Sequence, residues 1–224
     1  MITLGIIGVV AALTIPTLVS KYQKLVIENK LKVAYSTISN ALQIVNYQND
    51  FAFAPNELSN NNGSINGWGF SGSELVFNEY FRPNIKVIKE YSEIDRFEVC
   101  NINRENCYKN PSYKCYILPN NTGLCFAMNY QTGKIAIQIV VSPQKEKLIA
   151  GKDVFGFSVD RNITQNNYNM NIAKNSICNN TEEYIKNACI NSNVFTDDSD
   201  REFWCTCLIF NNGWQIPKDY PIKF

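Results

Sequence analysis

The chain has 224 residues, 45% apolar and 12% aromatic, with charged residues at 18% and a net charge of +1. That composition can build a core, excludes a wholly disordered chain, and offers no basic footprint for nucleic acid. There is no histidine, which removes Ser-His-Asp and Cys-His nucleophilic sites and every zinc site needing imidazole. One globular domain with an appendage is the expected partition.

Met1 to Val19 (MITLGIIGVVAALTIPTLV) carries no charge until Lys21. As a helix it spans roughly 28 Å, near a bilayer's hydrocarbon thickness of about 30 Å. Ile2, Leu4, Ile6, Ile7, Val9, Val10, Leu13, Ile15 and Leu18 supply its apolar surface. A cleaved signal peptide would start with cations and have a shorter apolar core. A core helix is rarely apolar on every face. Pro16 removes one backbone hydrogen bond, so a kink or local melting is expected there.

Helical chemistry continues past Lys21 to about Asn49 without Gly or another Pro. Leu31, Tyr35, Ile38, Leu42 and Val45 alternate at spacings of four and three, and Ala34 and Ala41 widen that seam. The spacing predicts one helix over 1–50, with 1–19 as membrane span or filament core and 20–50 amphipathic. A globular head follows over 51–224.

The stretch ITLGIIGVVAALTIPTLVSKYQK, followed by LKVAYSTISNAL, resembles the amino-terminal segment of type IV pilins and type II secretion pseudopilins. That resemblance covers about the first 45 residues. It implies a pilin-like α+β fold, with the long helix packed on an antiparallel sheet of about four strands. It also implies a non-enzymatic filament subunit without a cofactor, held single-pass in a bacterial inner membrane with its head in the periplasm or on the filament. The implied partners are other pilin or pseudopilin subunits and the secretion or pilus assembly machinery. Pilus and pseudopilus stay open as alternatives. The family carries a basic leader ending in Gly, then Phe-Thr-Leu and a glutamate, before this run. A leader upstream is therefore expected here, since Lys21 and Lys24 alone would orient the head toward the reducing cytoplasm. The competing reading is an extracytoplasmic binding protein or hydrolase using the helix only as an anchor.

Residues 50–71, polar and rich in Asn and Gly, read as a surface loop. Ser71 to Phe81 reads as a short helix capped by Ser73, with Leu75, Val76, Tyr80 and Phe81 on one side, ending before Pro83. Tyr113 to Val141 predicts three antiparallel strands turning at PNNTG and Gln131-Thr132-Gly133, and Val154 to Val159 a fourth. GKDVFGF and the late CTCLIFNNGW extend the resemblance. The family's D-V-N-G turn stands here as Val141-Ser142-Pro143.

Eight cysteines without a Cys-x-x-Cys pair read as disulfides in an oxidising compartment. Cys100 and Cys107 flank a polar turn and should pair. Cys115 and Cys125 lie on adjoining strands of the first hairpin and should meet diagonally, at about 7 Å between α-carbons. Cys178 with Cys205 and Cys189 with Cys207 is the preferred remainder, the swap standing close behind. Asp197, Asp198 and Asp200 form an acidic cluster that could hold calcium, though not at EF-hand spacing; a solvated loop is the plainer reading. Trp68, Trp204 and Trp214 read as packing residues.

Overall fold

A computed structural model describes residues 2–48, 64–65, 68–91, 97–104, 107–108, 113–129, 135–160, 171–172, 176–192 and 201–224. Helix α1 runs from Ile2 to Gln48, about 70 Å at the usual rise. It passes Pro16 without interruption, so the expected local melting does not occur. The hydroxyls of Thr14 and Thr17 bond the Ala11 and Leu13 carbonyls around it. Of the expected loop, residues 50–63, 66 and 67 lie outside those described. Strands β1 (Ser64–Ile65) and β2 (Trp68–Gly69) pair there as a small hairpin.

Helix α2 (Phe70–Val76) leads into a π-helical turn, Phe77–Phe81, closed by the Arg82 amide on the Phe77 carbonyl at 2.8 Å. Val76, Phe77 and Phe81 are buried, whereas Leu75, expected on the inner side, is exposed. Ser73 is no cap either: it lies inside α2, and its hydroxyl accepts the Met128 amide at 2.8 Å.

The centre of the head is an antiparallel sheet. Its long strands are β5 (Lys114–Ile117), β6 (Gly123–Asn129), β7 (Ile135–Val140) and β9 (Val154–Asp160), adjacent in that order. These are the four expected from the β-branched runs between Asn- and Gly-bearing turns. Two-residue strands extend the sheet to eight: β3 (Lys89–Glu90) flanks β5, β2 joins β6 and carries β1, and β10 (Asn171–Ile172) joins β9. A separate parallel pair, β4 (Glu98–Cys100) with β8 (Lys147–Ile149), covers part of one face.

Both sheet faces are buried, and strand alternation sorts the side chains. Tyr116, Leu124, Phe126, Met128, Ile137, Ile139 and Phe157 join one cluster with α1 and α2. Cys115, Ile117, Cys125, Ala127, Ala136, Val140 and Val154 join another with Val99, Leu148 and Phe203. Two further helices complete the head: α3 (Glu182–Asn191), after a 3-10 turn at Ser176–Asn179, and α4 (Arg201–Asn211).

The segment Gly151-Lys152-Asp153-Val154-Phe155-Gly156-Phe157 forms the corner on which α4 rests. Gly151 has φ +79°, and a β-carbon there would run into Cys205 and Ile222. The Asp153 carboxylate, itself buried, accepts the Ile149 amide at 3.0 Å and the Lys145 ammonium at 2.6 Å. At Gly156 the ring of Phe203 lies so near that a β-carbon would stand 2.7 Å from it. Gly156→Ala is therefore expected to lower stability by about 1–3 kcal/mol through overpacking, read as a lower denaturation midpoint at unchanged slope. A midpoint equal to wild type would show that α4 can retreat from the strand.

Candidate assembly surface

Two opposite faces of α1 have different fates. Ile27, Leu31, Ala34, Ile38, Ala41, Leu42 and Val45 are buried against the head. Tyr35, half-buried, stacks near Trp214 (4.6 Å between centroids), which in turn meets Phe210 at 5.1 Å. Trp204 is buried beside Tyr184.

Polar fasteners hold the helix where it leaves the head. On one flank the Lys30 ammonium donates to the carbonyls of Val141 (2.6 Å) and Asn121 (3.1 Å), and burial pushes its pKa below the ordinary lysine value. On the other flank Glu28 accepts the Ile216 amide at 2.8 Å, and Lys24 lies over the Phe224 ring at 5.8 Å. The chain's carboxyl end, residues 212–224, thus straps α1 to the sheet. Its anchor is Tyr220, whose buried hydroxyl donates to the Gly151 carbonyl at 2.6 Å.

Burial raises the Tyr220 pKa above the ordinary phenol value. The unfolded chain ionises this phenol above about pH 10 while the folded chain keeps its proton, so its stabilisation is complete below that pH and declines as pH rises further. Tyr220→Phe is expected to cost about 1 kcal/mol at neutral pH and to make the alkaline decline shallower. Chemical denaturation at a series of pH values from neutral to above 10 checks both; an unchanged alkaline slope would remove Tyr220 as its source.

Toward the amino end, large apolar side chains of the helix are uncovered among the described residues. Ile7 (65%), Leu13 (72%), Ile15, Leu18 (69%), Val19, Tyr22 and Leu25 are all exposed. At 100° per residue, Leu18, Tyr22, Leu25, Val33 and Tyr47 fall on the side of α1 opposite the buried seam. Each of them is exposed; Leu18, Tyr22 and Leu25 make an apolar side on the projecting half, while on the docked half Val33 and Tyr47 share that side with the polar Asn29, Ser36 and Asn40. Large exposed apolar patches on a folded protein mark contact surfaces. Among the described residues no helix is long and apolar enough to cross a membrane. The side chains of residues 2–6 and 8–10, including Ile2, Leu4, Ile6, Val9 and Val10, on which the expected span chiefly rests, lie outside those described.

All eight cysteines are paired. Cys100 joins Cys107, and Cys115 joins Cys125, as expected. The second bridge is not diagonal, however. The register sets Cys115 directly opposite Cys125, with α-carbons 4.0 Å apart, because the two are placed symmetrically about the turn's centre at Asn120. The remaining bridges are Cys178–Cys207 and Cys189–Cys205, which corrects the preferred pairing in favour of its swap. The reason is that Cys205 and Cys207 lie on helix α4, where two residues turn thiols to different sides. An antiparallel hairpin of α3 and α4 then nests the pairs instead of crossing them.

Sequence reading missed both helices, although each left a signal. Thr181 caps α3, accepting the Tyr184 amide at 3.4 Å, with Glu182 and Glu183 in its first turn. Asn211-Asn212-Gly213 closes α4, the Trp214 amide reaching the Ile209 carbonyl at 2.9 Å. Beside these helices lies a cleft of about 750 Å³ bounded by Glu28, Glu182, Ile185, Leu208, Ile216 and Asp219. Lys186 bridges Glu182 (2.8 Å) and Asp219 at its rim. Among the described residues no group of three or more acidic or sulfur side chains is placed to hold a metal ion. The cluster Asp197, Asp198 and Asp200 lies outside those residues.

The molecule so defined is an α+β head, stapled by four disulfides, that carries a long, half-docked helix. Residues 17–224 match the model of a family of unknown function, DUF6613, and the chain belongs to that family. No curated protein and no solved structure matches it.

Proposed function

We propose that the chain is a structural subunit of a helical filament of the type IV pilus or type II secretion pseudopilus kind. Before assembly its helix rests in a bacterial inner membrane, with the head on the extracytoplasmic side. The observation that carries this reading is the row of apolar side chains uncovered on α1 from Leu13 to Leu25, on a helix charge-free in sequence from Ile2 to Val19 and continuous with a half that docks on the head. A helix used only as an anchor has no need to run unbroken from an apolar half into one that docks on the head. Hydrocarbon satisfies the projecting half in one state, and sister helices satisfy it in the other. Four disulfides with no free thiol fit an oxidising compartment. The reading assigns no catalytic role.

The test is reconstitution. Purified full chain in detergent should form filaments of uniform diameter when the detergent is removed, seen by electron microscopy. Amorphous precipitate or a persistent monomer would sink the proposal.

A further inference from the structure

We infer that the head carries its own contact between copies: the ridge at Lys86–Lys89 of one copy enters the cleft between α3, α4 and the carboxyl-terminal strap of the next. This deepens the filament reading and rests on it.

The ridge is built to present side chains. The Ile88 amide bonds the Ile117 carbonyl (2.9 Å) and the Tyr91 amide bonds the Cys115 carbonyl (2.9 Å), so the segment is fixed along the outer edge of β5. Ile85 is buried beneath it and Val87 is half-buried, while Lys86, Ile88 (59%) and Lys89 face outward. An apolar tip between two cations is thus held before any partner arrives, which lowers the ordering cost of contact. Arg82 is neutralised by Glu90, leaving the two lysines as the ridge's net charge.

The cleft is its complement in sign. Ile185, Leu208 and Ile216 lie at its floor, and its rim carries three carboxylates, Glu28, Glu182 and Asp219, with Lys218 beside them, so that with Lys186 the rim keeps one net negative charge. Lys186 offsets only one of the two carboxylates it touches. Ridge and cleft also lie on opposite sides of the head. The ridge borders β5, whereas α4, which forms one wall of the cleft, packs beside β9. At about 4.8 Å per strand the two edges are roughly 15 Å apart across the sheet. A contact joining two different patches is heterologous, and when its rotation does not close it propagates as an open helix. The apolar side of the helix alone fixes no such direction. The head contact would set which copy follows which.

Zero-length carbodiimide cross-linking of full chain, mixed from normal and 15N-labelled protein and allowed to self-associate on detergent removal, tests this. Peptide pairs carrying one label from each copy report contacts between copies. Lys86 or Lys89 joined to Glu182 or Asp219 is the expected mixed-label product. Lys86→Glu with Lys89→Glu, both at exposed positions, should lower the assembled fraction about tenfold or more through like-charge contact. Mixed-label links confined to α1, between Lys21 or Lys32 and Glu28, the carboxylate that α1 carries, would overturn the head contact and leave helix-driven assembly standing. Self-association with no mixed-label link of either kind would overturn both. A charge-reversed ridge that assembles as wild type would also refute the inference.

Discussion

Leu13→Asp is expected to release the chain from membranes and to abolish self-assembly in the same stroke. The position lies near the middle of the charge-free run and is 72% exposed, so nothing in the head covers it. A carboxylate at the centre of a spanning helix costs about 2.5–3.5 kcal/mol, which is roughly a hundredfold in partition. In a bundle of sister helices the same charge would be buried without a partner, at a cost at least as large. The head should be untouched: circular dichroism, thermal midpoint and the four disulfides should match wild type. Leu31→Asp gives the contrast, because that side chain is fully buried in the head and the fold itself should fail. Should Leu13→Asp still sediment with membranes and still form filaments, the projecting helix would have neither role.

What could be read from the residues depended on how local each cause was. The helix seam and the four long strands rest on periodicity within one element, and the structure places both where the spacing indicates. The Cys100–Cys107 and Cys115–Cys125 bridges close short stretches, so proximity decided them. Leu75 was misplaced because, in the α-helix Phe70–Val76, it stands two residues from both Ser73 and Phe77 and so on the side opposite the buried Ser73, Val76 and Phe77. The parallel pairing of Glu98–Cys100 with Lys147–Ile149 joins segments nearly fifty residues apart and leaves no turn signal. Opposite the seam, Leu18, Tyr22 and Leu25 make the projecting half apolar, whereas Asn29, Ser36 and Asn40 make that side of the docked half largely polar, as its amphipathic spacing indicates. The wrong choice at Cys178, Cys189, Cys205 and Cys207 followed from overlooking α3 and α4, since nested pairing is a consequence of a helical hairpin.

Those two long-range bridges set up a contest between loop entropy and burial. Cys178–Cys207 encloses 29 residues and Cys189–Cys205 encloses 16. Chain entropy alone makes the longer loop worth about half a kcal/mol more, on a base of about 3 kcal/mol for either. Burial points the other way. Cys189 and Cys205 are fully buried, and Cys205 packs against Gly151 and Ile222; of the outer pair Cys207 is buried too, and Cys178 is half-buried. Replacing Cys189 and Cys205 with alanine therefore removes two sulfurs from the core, against one for the outer pair, and leaves space beside Gly151, adding about 1 kcal/mol. Cys189→Ala with Cys205→Ala is expected to be the more destabilising pair, by about 4 kcal/mol in all, or roughly 8–16 °C in thermal midpoint for a chain of this size. Its effect should also reach α1. The Gly151 corner holds Tyr220, and Tyr220 anchors the strap whose Ile216 amide meets Glu28. Amide exchange at Ile27–Leu31 should accelerate in that variant and much less in Cys178→Ala with Cys207→Ala. If the outer pair proved the more costly, loop entropy would outweigh burial, and the Gly151 corner would not be the point through which the strap holds the helix.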